Sequence, residues 1–413
     1  HGSVRLPRSA VGKGRQEADE ANKPAEVEAI EAFLFSQAEF RHNVITHHCE
    51  IRWTEEAGFL PLTDRDVNTL WGRMNKTVGR VYLTDIYNVI HSEFVPLFNP
   101  FQSYFDHLPS WDGVSDPIGD LADTVHVKSD QAEFRDYFRK WFVGILPALL
   151  DDTVVNHEIL VLIGEQGLYK TTWFNFLLPP ELRCYFYTKT NSDRLNKDDL
   201  FSLTEFALIC FEELDGMRPA ELNQLKAMVT MPYVNERAAY GRNKERHPHI
   251  ASFCGTGNNV QFLTDPTGNR RWLPFEVSQI RDPHLHAIPY ELVYSQAYAL
   301  WKSGFCHWFS QEEIRVLNTH NSRFEVPNLE EDLIRTHFRK PFEGEAGIFV
   351  TAADILEQIS SCLRYPLSPN KIGRIMAGLE FESIRYKGKR GYITVKKTGE
   401  DIDRERRSGA LGL

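Results

Sequence analysis

The chain has 413 residues, of which 42% are hydrophobic and 25% are charged, and its formal net charge is −10. This composition is typical of a globular protein with two or three domains, and it excludes a uniformly basic surface, so nucleic acid would have to bind local patches. The longest apolar run, Trp141 to Leu150, is too short for a bilayer, so no membrane contact is expected. The six cysteines include no C-x-x-C pair, which favours reduced thiols and a cytoplasmic location.

The residue composition and apolar periodicity of the chain change near residue 25. Residues 1–25 are charged and small without apolar periodicity, which predicts a disordered tail. Residues 26–150 place apolar side chains at three- and four-residue steps, for example in Phe134–Phe142, which predicts a helical N-terminal domain. The segment Leu108–Gly113 is expected to interrupt it as a turn.

Residues 151–325 have a different sequence pattern, in which short β-branched or aromatic runs alternate with helical stretches. This alternation predicts βα units and a largely parallel sheet. A helix with bulky apolar positions is predicted at Tyr290–Trp301. The predicted strands are Ile159–Ile163, Tyr185–Tyr187, Phe206–Phe211, Ile250–Cys254 and Trp272–Val277.

The sequence GEQGLYKTTW follows the first of these strands and matches the phosphate-loop pattern G-x-x-x-x-G-K-[ST] except at Tyr169. Lys170 is predicted to bridge the outer phosphates of ATP, and Thr171 to bind Mg²⁺. The missing glycine usually keeps side chains away from the nucleotide, so Tyr169 is expected to point outward. The alternative is an ordinary strand–turn–helix with a surface lysine. The predicted nucleotide-binding residues are Gly164, Glu165, Gln166, Gly167, Leu168, Tyr169, Lys170, Thr171 and Thr172.

An acidic pair ends the buried strand Phe206–Phe211. Carboxylates at the carboxyl end of a strand beside a phosphate loop can hold Mg²⁺ and orient the attacking water. We assign Glu213 to water activation and Glu212 to the metal shell. An acidic helix cap is the alternative explanation.

Two later motifs are candidates for sensing the nucleotide. Asn258 follows the strand Ile250–Cys254, where a sensor of the γ-phosphate would lie, although a structural turn at Gly255–Asn259 explains the same residues. Arg270 and Arg271 are predicted to stabilise transition-state charge at a neighbouring subunit's nucleotide. An interface salt bridge is the alternative role for these arginines.

The order of these motifs resembles that of the virulence-associated protein E (VapE/VirE) family over roughly residues 95–280. The segments that carry the resemblance are Trp111-Asp112-Gly113, Glu213-Leu214-Asp215-Gly216-Met217, Tyr240-Gly241-Arg242 and Thr267-Gly268-Asn269-Arg270-Arg271. The resemblance implies a helicase-like P-loop ATPase of phages and mobile elements, similar to superfamily 3 helicases and poxvirus-type primase–helicases. Two positions depart from the family pattern: Tyr169 replaces glycine, and Cys210 replaces an acid. The second departure leaves open how Glu212 and Glu213 divide their roles.

A basic segment, NERAAYGRNKERHPH, lies between the acidic strand and the Asn258 strand. Its Gly241–Asn243 turn predicts a β-hairpin tip. In ring helicases that this chain resembles, a hairpin at this point tracks DNA through the central channel, where basic residues neutralise phosphates. A solvated charged loop is the alternative. The predicted contacts are Arg237, Arg242, Lys244 and Arg246.

The end of the chain reads as two amphipathic helices followed by two strands, which predicts a winged helix over residues 326–398. Such a module reads duplex DNA with its second helix and its wing, or docks proteins instead. The predicted DNA contacts are Lys371, Arg374, Arg385, Lys387, Lys389 and Arg390.

The predicted fold class is therefore α/β, with a P-loop NTPase core of the AAA+ or superfamily 3 helicase-like type. The predicted segments are the tail 1–25, the helical domain 26–150, the ATPase domain 151–325, the winged helix 326–398 and a flexible tail 399–413. The predicted function is ATP-dependent DNA unwinding or translocation by a hexameric ring that replicates a phage or mobile element. Single-stranded DNA, duplex DNA and a primase are the expected partners. The alternatives are a DNA-bound ATPase switch that controls assembly with a primase or defence effector, and a module that binds DNA without hydrolysis.

Overall fold

The computed structural model describes residues 25–190, 197–236, 245–264, 269–327, 329–342, 344–360, 368–399 and 401. These residues form a mixed α/β protein, as the sequence predicts, and the chain divides into two compact units, His1–Phe324 and Glu325–Leu413. Within the described ranges, no helix combines the length and apolar character needed to cross a membrane.

The first unit begins with a small sheet that the sequence did not predict. Its strands are β1 (Ala38–Asn43), β2 (His48–Trp53), β3 (Leu60–Pro61) and β4 (Leu97–Phe98), in the order β3-β2-β1-β4. The accompanying helices are α1 (Val27–Gln37), α2 (Asp64–Thr77), α3 (Leu83–Ile90), α4 (Pro100–Asp106) and α5 (Pro117–Ala122). The expectation of a helical domain over 26–150 was therefore wrong for the strands. The reason is that pairing of β1 with β2 buries Phe40 and Ile51, side chains that a helical spacing also accommodates.

A six-stranded sheet forms the centre of the first unit. The next strands along the chain are β5 (Val125–Val127), β6 (Ile159–Ile163), β7 (Phe186–Lys189), β8 (Leu208–Phe211), β9 (Tyr233–Glu236), β10 (Glu245–Pro248), β11 (Ser252–Gly257) and β12 (Trp272–Ile280). The sheet order is β5-β12-β6-β11-β8-β7, and every neighbouring pair is parallel except β5 with β12. The remaining two strands, β9 and β10, pair with each other in an antiparallel hairpin. The prediction of a largely parallel sheet is confirmed.

Helices cover both faces of this sheet. They are α6 (Gln131–Leu150), α7 (Lys170–Phe176), α8 (Lys197–Glu205), α9 (Pro219–Val229), α10 (Tyr290–Lys302) and α11 (Gln311–Asn321). Although we expected α6 in a separate N-terminal domain, it packs in the core of the central sheet, where Trp141 donates a 2.9 Å hydrogen bond from Nε1 to the carbonyl of Phe253. Its second half is apolar on all sides, and a helix of that kind must be buried.

In its described residues, the second unit is a small sheet with three helices. In chain order its elements are α12 (Leu329–His337), β13 (Phe338–Arg339), β14 (Ile348–Val350), α13 (Ala352–Ser360), α14 (Pro369–Gly378), β15 (Ser383–Tyr386) and β16 (Lys389–Lys396). Strand β16 is central and pairs antiparallel with each of the other three strands. Lys387 and Gly388 both have positive φ, as a two-residue hairpin turn between β15 and β16 requires.

Candidate functional site

Three strands of the parallel sheet end side by side and deliver polar residues to one cleft. Strand β11 lies between β6 and β8, with Gly257 opposite Ile163 and Gly255 opposite Phe211. The residues that follow these strands therefore meet at one edge of the sheet. The cleft has a volume of about 350 Å³ and is lined by residues 166–172 with Glu212, Glu213, Thr256 and Asn258.

The loop between β6 and α7 is shaped by two glycines and one tyrosine. A Cβ atom on Gly164 would lie 2.9 Å from the carbonyl oxygen of Val277, so the start of the loop has no room for a side chain. Gly167 and Tyr169 both have positive φ, at 84° and 60°. Tyr169 is 42% exposed and lines the cleft.

Lys170 is buried at the centre of the loop. Its Nζ donates hydrogen bonds to the carbonyl oxygens of Gly164 at 2.6 Å and Glu165 at 2.7 Å, and it lies 3.4 Å from Oδ1 of Asn258. Burial lowers the pKa of Lys170, and the carboxylate of Asp215 acts in the opposite direction. The ammonium group thus links the loop to the residue that follows β11.

The two glutamates that follow β8 have different surroundings in the cleft. The hydroxyl of Thr171 donates a 2.8 Å hydrogen bond to Oε1 of Glu212, which places two oxygen ligands next to each other. Hard oxygen atoms of this kind suit Mg²⁺, which usually takes few protein ligands and fills its remaining positions with water and phosphate. Among the described residues no cluster of three or more His, Cys, Asp or Glu side chains is arranged to hold a metal. Glu213 also lines the cleft and has a left-handed backbone with φ of 54°.

Two further residues belong to this site although no role was predicted for them. Asp215 accepts hydrogen bonds from the backbone N–H groups of Asn258 at 3.2 Å and Asn259 at 3.0 Å, so it fixes the turn after β11. Thr256 lines the cleft directly. The available signals were the third position of the Glu213-Leu214-Asp215 motif and a polar residue near the end of a fully buried strand.

Arg270 and Arg271 lie away from the cleft. They line a separate cavity of about 380 Å³ together with Glu158. Trp272, the next residue, pairs with Ile159 at the start of β6, whereas the loop begins after Ile163. The arginines and the loop are therefore at opposite ends of one strand pair, roughly 15 Å apart. Burial raises the pKa of Glu158 to about 7, although Lys140 and Arg271 act in the opposite direction.

The basic hairpin is present, but its tip is not among the described residues. Arg237, Arg242 and Lys244 lie outside the described residues. Arg246, on β10, is exposed and its guanidinium group lies 3.4 Å above the ring centroid of Tyr233. Stacking of this kind holds the guanidinium group in place while leaving its outer side open to solvent.

The second unit exposes most of its predicted basic contacts. Arg374, Arg385, Lys387, Lys389 and Arg390 are all exposed. Arg385 lies directly opposite Arg390 on neighbouring strands, an arrangement that is unfavourable without an anion nearby.

Lys371 differs from the other predicted contacts. Its ammonium group forms an ion pair with the buried carboxylate of Glu330. Direct DNA contact by Lys371 stays a prediction: its side chain is 45% exposed, and its charge also neutralises a carboxylate from α12. A partner 41 residues away along the chain could not be inferred from local spacing.

Comparison with known proteins gives one family and several solved structures. The virulence-associated protein E-like domain matches residues 106–326. The apo structure of the NrS-1 C terminal region (305-718) is 12% identical, with a TM-score of 0.46, over 89% of this chain and 98% of that chain. An A form apo structure of the same region is 12% identical, with a TM-score of 0.44, over the same shares of the two chains. No curated protein matches the sequence. Because the family match covers more than half of its residues, the chain belongs to the virulence-associated protein E-like domain family.

Proposed function

We propose that this chain is an ATPase that binds ATP and Mg²⁺ in the cleft after β6, β8 and β11 and uses hydrolysis to move along or unwind DNA. The observation that carries this proposal is the meeting of the Lys170 loop, the Thr171–Glu212 pair, Glu213 and Asn258 in one cleft. These are the groups needed to bind a phosphate chain, a divalent cation and an attacking water.

The sheet order supports a P-loop core of the AAA+ and superfamily 3 type. In that arrangement an additional strand separates the strand of the phosphate loop from the strand that carries the acidic pair. Strand β11 lies in this position between β6 and β8, and it ends at Gly257, directly before the proposed sensor Asn258. The lysine, acids and asparagine of the cleft therefore follow three adjacent strands along the chain.

Each residue of the cleft has a specific task in this proposal. Lys170 leaves the carbonyl groups of its own loop and neutralises the outer phosphates. Thr171 and Glu212 hold Mg²⁺, which would offset phosphate charge when bound. Glu213 accepts a proton from the attacking water, and Asn258 contacts the γ-phosphate from the turn that Asp215 fixes.

The position of Arg270 and Arg271 supports a shared site between subunits. They are too far from the cleft of their own chain to reach its nucleotide, because a strand length separates them. A head-to-tail ring would bring them to the nucleotide of the next subunit. Head-to-tail contacts form a closed ring when the rotations from one subunit to the next add up to a full turn. We therefore propose a ring, with a hexamer as the expected size.

The second unit supports a DNA-binding role of the winged-helix type. Its order of helix, two strands, two helices and a β15–β16 hairpin, with β16 between β14 and β15, supports the winged-helix assignment. The hairpin carries Arg385, Lys387, Lys389 and Arg390, all of them exposed. We propose that this unit binds duplex DNA, that the β9–β10 hairpin contacts single-stranded DNA in the ring, and that the family context is replication of a phage or mobile element.

The test is ATP hydrolysis by the full chain, with and without single-stranded DNA, together with the mass of the assembly. Phosphate release that single strands stimulate, from a ring-sized assembly, is the expected result. Lys170→Ala should abolish release, whereas Lys76→Ala, on the exposed side of α2, is the matched control. Full activity of Lys170→Ala would refute the assignment of the phosphate loop. Unwinding of a forked duplex separates a helicase from an ATPase that only switches its assembly state.

A further inference from the structure

Tyr169 occupies a backbone conformation that a glycine would adopt more easily. Its φ of 60° and ψ of 19° are left-handed, a conformation that is unfavourable for a residue with a Cβ atom. Glu213, with φ of 54°, shares both this conformation and this cleft. Unfavourable backbone conformations persist where the surrounding structure requires them, and they concentrate at functional sites.

Tyr169 borders the space in which a ligand of the cleft would lie. It is 42% exposed and lines the cleft beside Lys170. Within the described part of the chain its hydroxyl forms no hydrogen bond and its ring stacks on no other ring or cation. A phenol O–H is a donor, and a donor forms a stronger hydrogen bond when its acceptor is charged.

We propose that the hydroxyl of Tyr169 donates a hydrogen bond to the phosphate chain of the bound nucleoside triphosphate. This inference rests on the proposed function, because it needs a nucleotide in the cleft. It adds a side-chain contact at the position where the usual phosphate loop has only a backbone N–H group. Tyr169 would then be a nucleotide-binding residue and not a tolerated replacement for glycine.

The experiment compares three variants of the full chain in the presence of Mg²⁺. Tyr169→Phe removes only the hydroxyl, Tyr169→Gly restores the usual loop residue, and Tyr82→Phe, 47% exposed before α3, is the matched control. The measurements are the Kd of a fluorescent ATP analogue and the thermal midpoint of the nucleotide-free protein. The Kd reports the contact between the hydroxyl and the nucleotide, and the thermal midpoint reports the strain of the loop backbone.

We expect Tyr169→Phe to weaken binding by roughly three- to tenfold, the range of a partly solvated hydrogen bond, with no change in the thermal midpoint. Tyr169→Gly should weaken binding at least as much while its midpoint stays equal or rises, since glycine tolerates positive φ. Unchanged affinity in Tyr169→Phe would refute the contact and leave the proposed function intact. A wild-type chain that binds no nucleotide would refute the proposed function, and the contact with it.

Discussion

The hydroxyl of Thr171 donates a 2.8 Å hydrogen bond to Oε1 of Glu212, so the first turn of α7 is joined directly to the end of β8. Glu213, the next residue, also lines this cleft and has a left-handed backbone conformation. The two neighbouring carboxylates therefore occupy different positions: Glu212 bonds to the hydroxyl that would share Mg²⁺, whereas Glu213 does not take part in that bond. This geometry favours the assignment of the metal to Glu212 and of the water to Glu213.

The first prediction separates these two carboxylates. Glu213→Gln should retain ATP affinity and lose turnover by at least a hundredfold, because general-base catalysis contributes roughly that factor. Glu212→Gln should instead raise the Mg²⁺ concentration needed for half-maximal activity. Titration of Mg²⁺ at saturating ATP measures both effects. A larger Mg²⁺ requirement in Glu213→Gln than in Glu212→Gln would show that the roles are reversed.

The second prediction concerns the arginines at the far end of the β6–β12 pair. A chain with Arg270→Ala and Arg271→Ala should bind ATP normally and turn it over slowly, because these residues would stabilise charge only in the transition state. Mixing it with an inactive Lys170→Ala chain should restore activity. In an equal random mixture about a quarter of the head-to-tail interfaces combine an intact loop with intact arginines. No recovery at any ratio would place the arginines outside the neighbour's site.

Much of the central sheet could be predicted from the sequence because its strands are locally distinct. The apolar run Ile159–Ile163 coincides with β6, and its residues are all buried. Strand β11 was harder, since its glycines suggest a turn. It nevertheless continues to Gly257, and Gly255 has no room for a side chain, because a Cβ atom there would lie 2.2 Å from Cδ1 of Leu214.

Other features depend on contacts between distant parts of the chain. The two-residue strands β3 and β4 form only because β2 and β1 offer free edges, and no local pattern marks them. The ion pair of Lys371 with Glu330 has the same origin. In the candidate site, the loop and the acids followed from motifs, whereas the support that Asp215 gives to Asn258 required the parallel pairing of β8 with β11.

The third prediction concerns the β9–β10 hairpin. Arg246→Ala should weaken single-strand binding and DNA-stimulated hydrolysis while basal hydrolysis survives. The loss is electrostatic, so the slope of log affinity against log salt should fall by about 0.7 for the phosphate contact removed. Arg65→Ala, an exposed arginine on α2, is the control. An unchanged salt slope in Arg246→Ala would indicate that the guanidinium group only packs on Tyr233.

The fourth prediction uses the facing arginines of the β15–β16 hairpin. Arg385→Ala removes one of two like charges on opposite residues, so the second unit should become slightly more stable, by about 0.2–1 kcal/mol. Duplex affinity should nevertheless fall, while single-strand stimulation of hydrolysis stays intact. Thermal unfolding and duplex titration of the same variant provide both values. Lower stability with unchanged duplex binding would mean that Arg385 serves the fold alone.

The fifth prediction follows from Glu158, whose pKa burial raises from 4.5 to about 7. Between these values the folded chain keeps a proton that the unfolded chain releases, so the stabilisation is complete below pH 4.5 and is lost as the pH rises through 7. Glu158→Gln imitates the protonated form. The free energy of unfolding of Glu158→Gln should therefore increase relative to that of the wild type as the pH rises from 5 to 7.5, by at most about 1.4 kcal/mol per pH unit.

Chemical denaturation at several pH values measures this difference. Glu312→Gln, an exposed residue on α11, is the matched control and should run parallel to the wild type. A constant offset between Glu158→Gln and the wild type over the whole range would contradict the raised pKa.

Helix α4 determines where the chain can be shortened. Phe101 and Phe105 are buried in the same core as the central sheet, with their rings 4.9 Å from Tyr185 and 5.9 Å from Tyr294. Both precede the family match at residue 106. Loss of a buried phenylalanine side chain costs about 3–5 kcal/mol, whereas a whole domain is stable by only about 5–15 kcal/mol. A fragment cut at the family boundary would therefore lose much of its stability, whereas one that begins before Pro100 keeps both phenylalanines in its core.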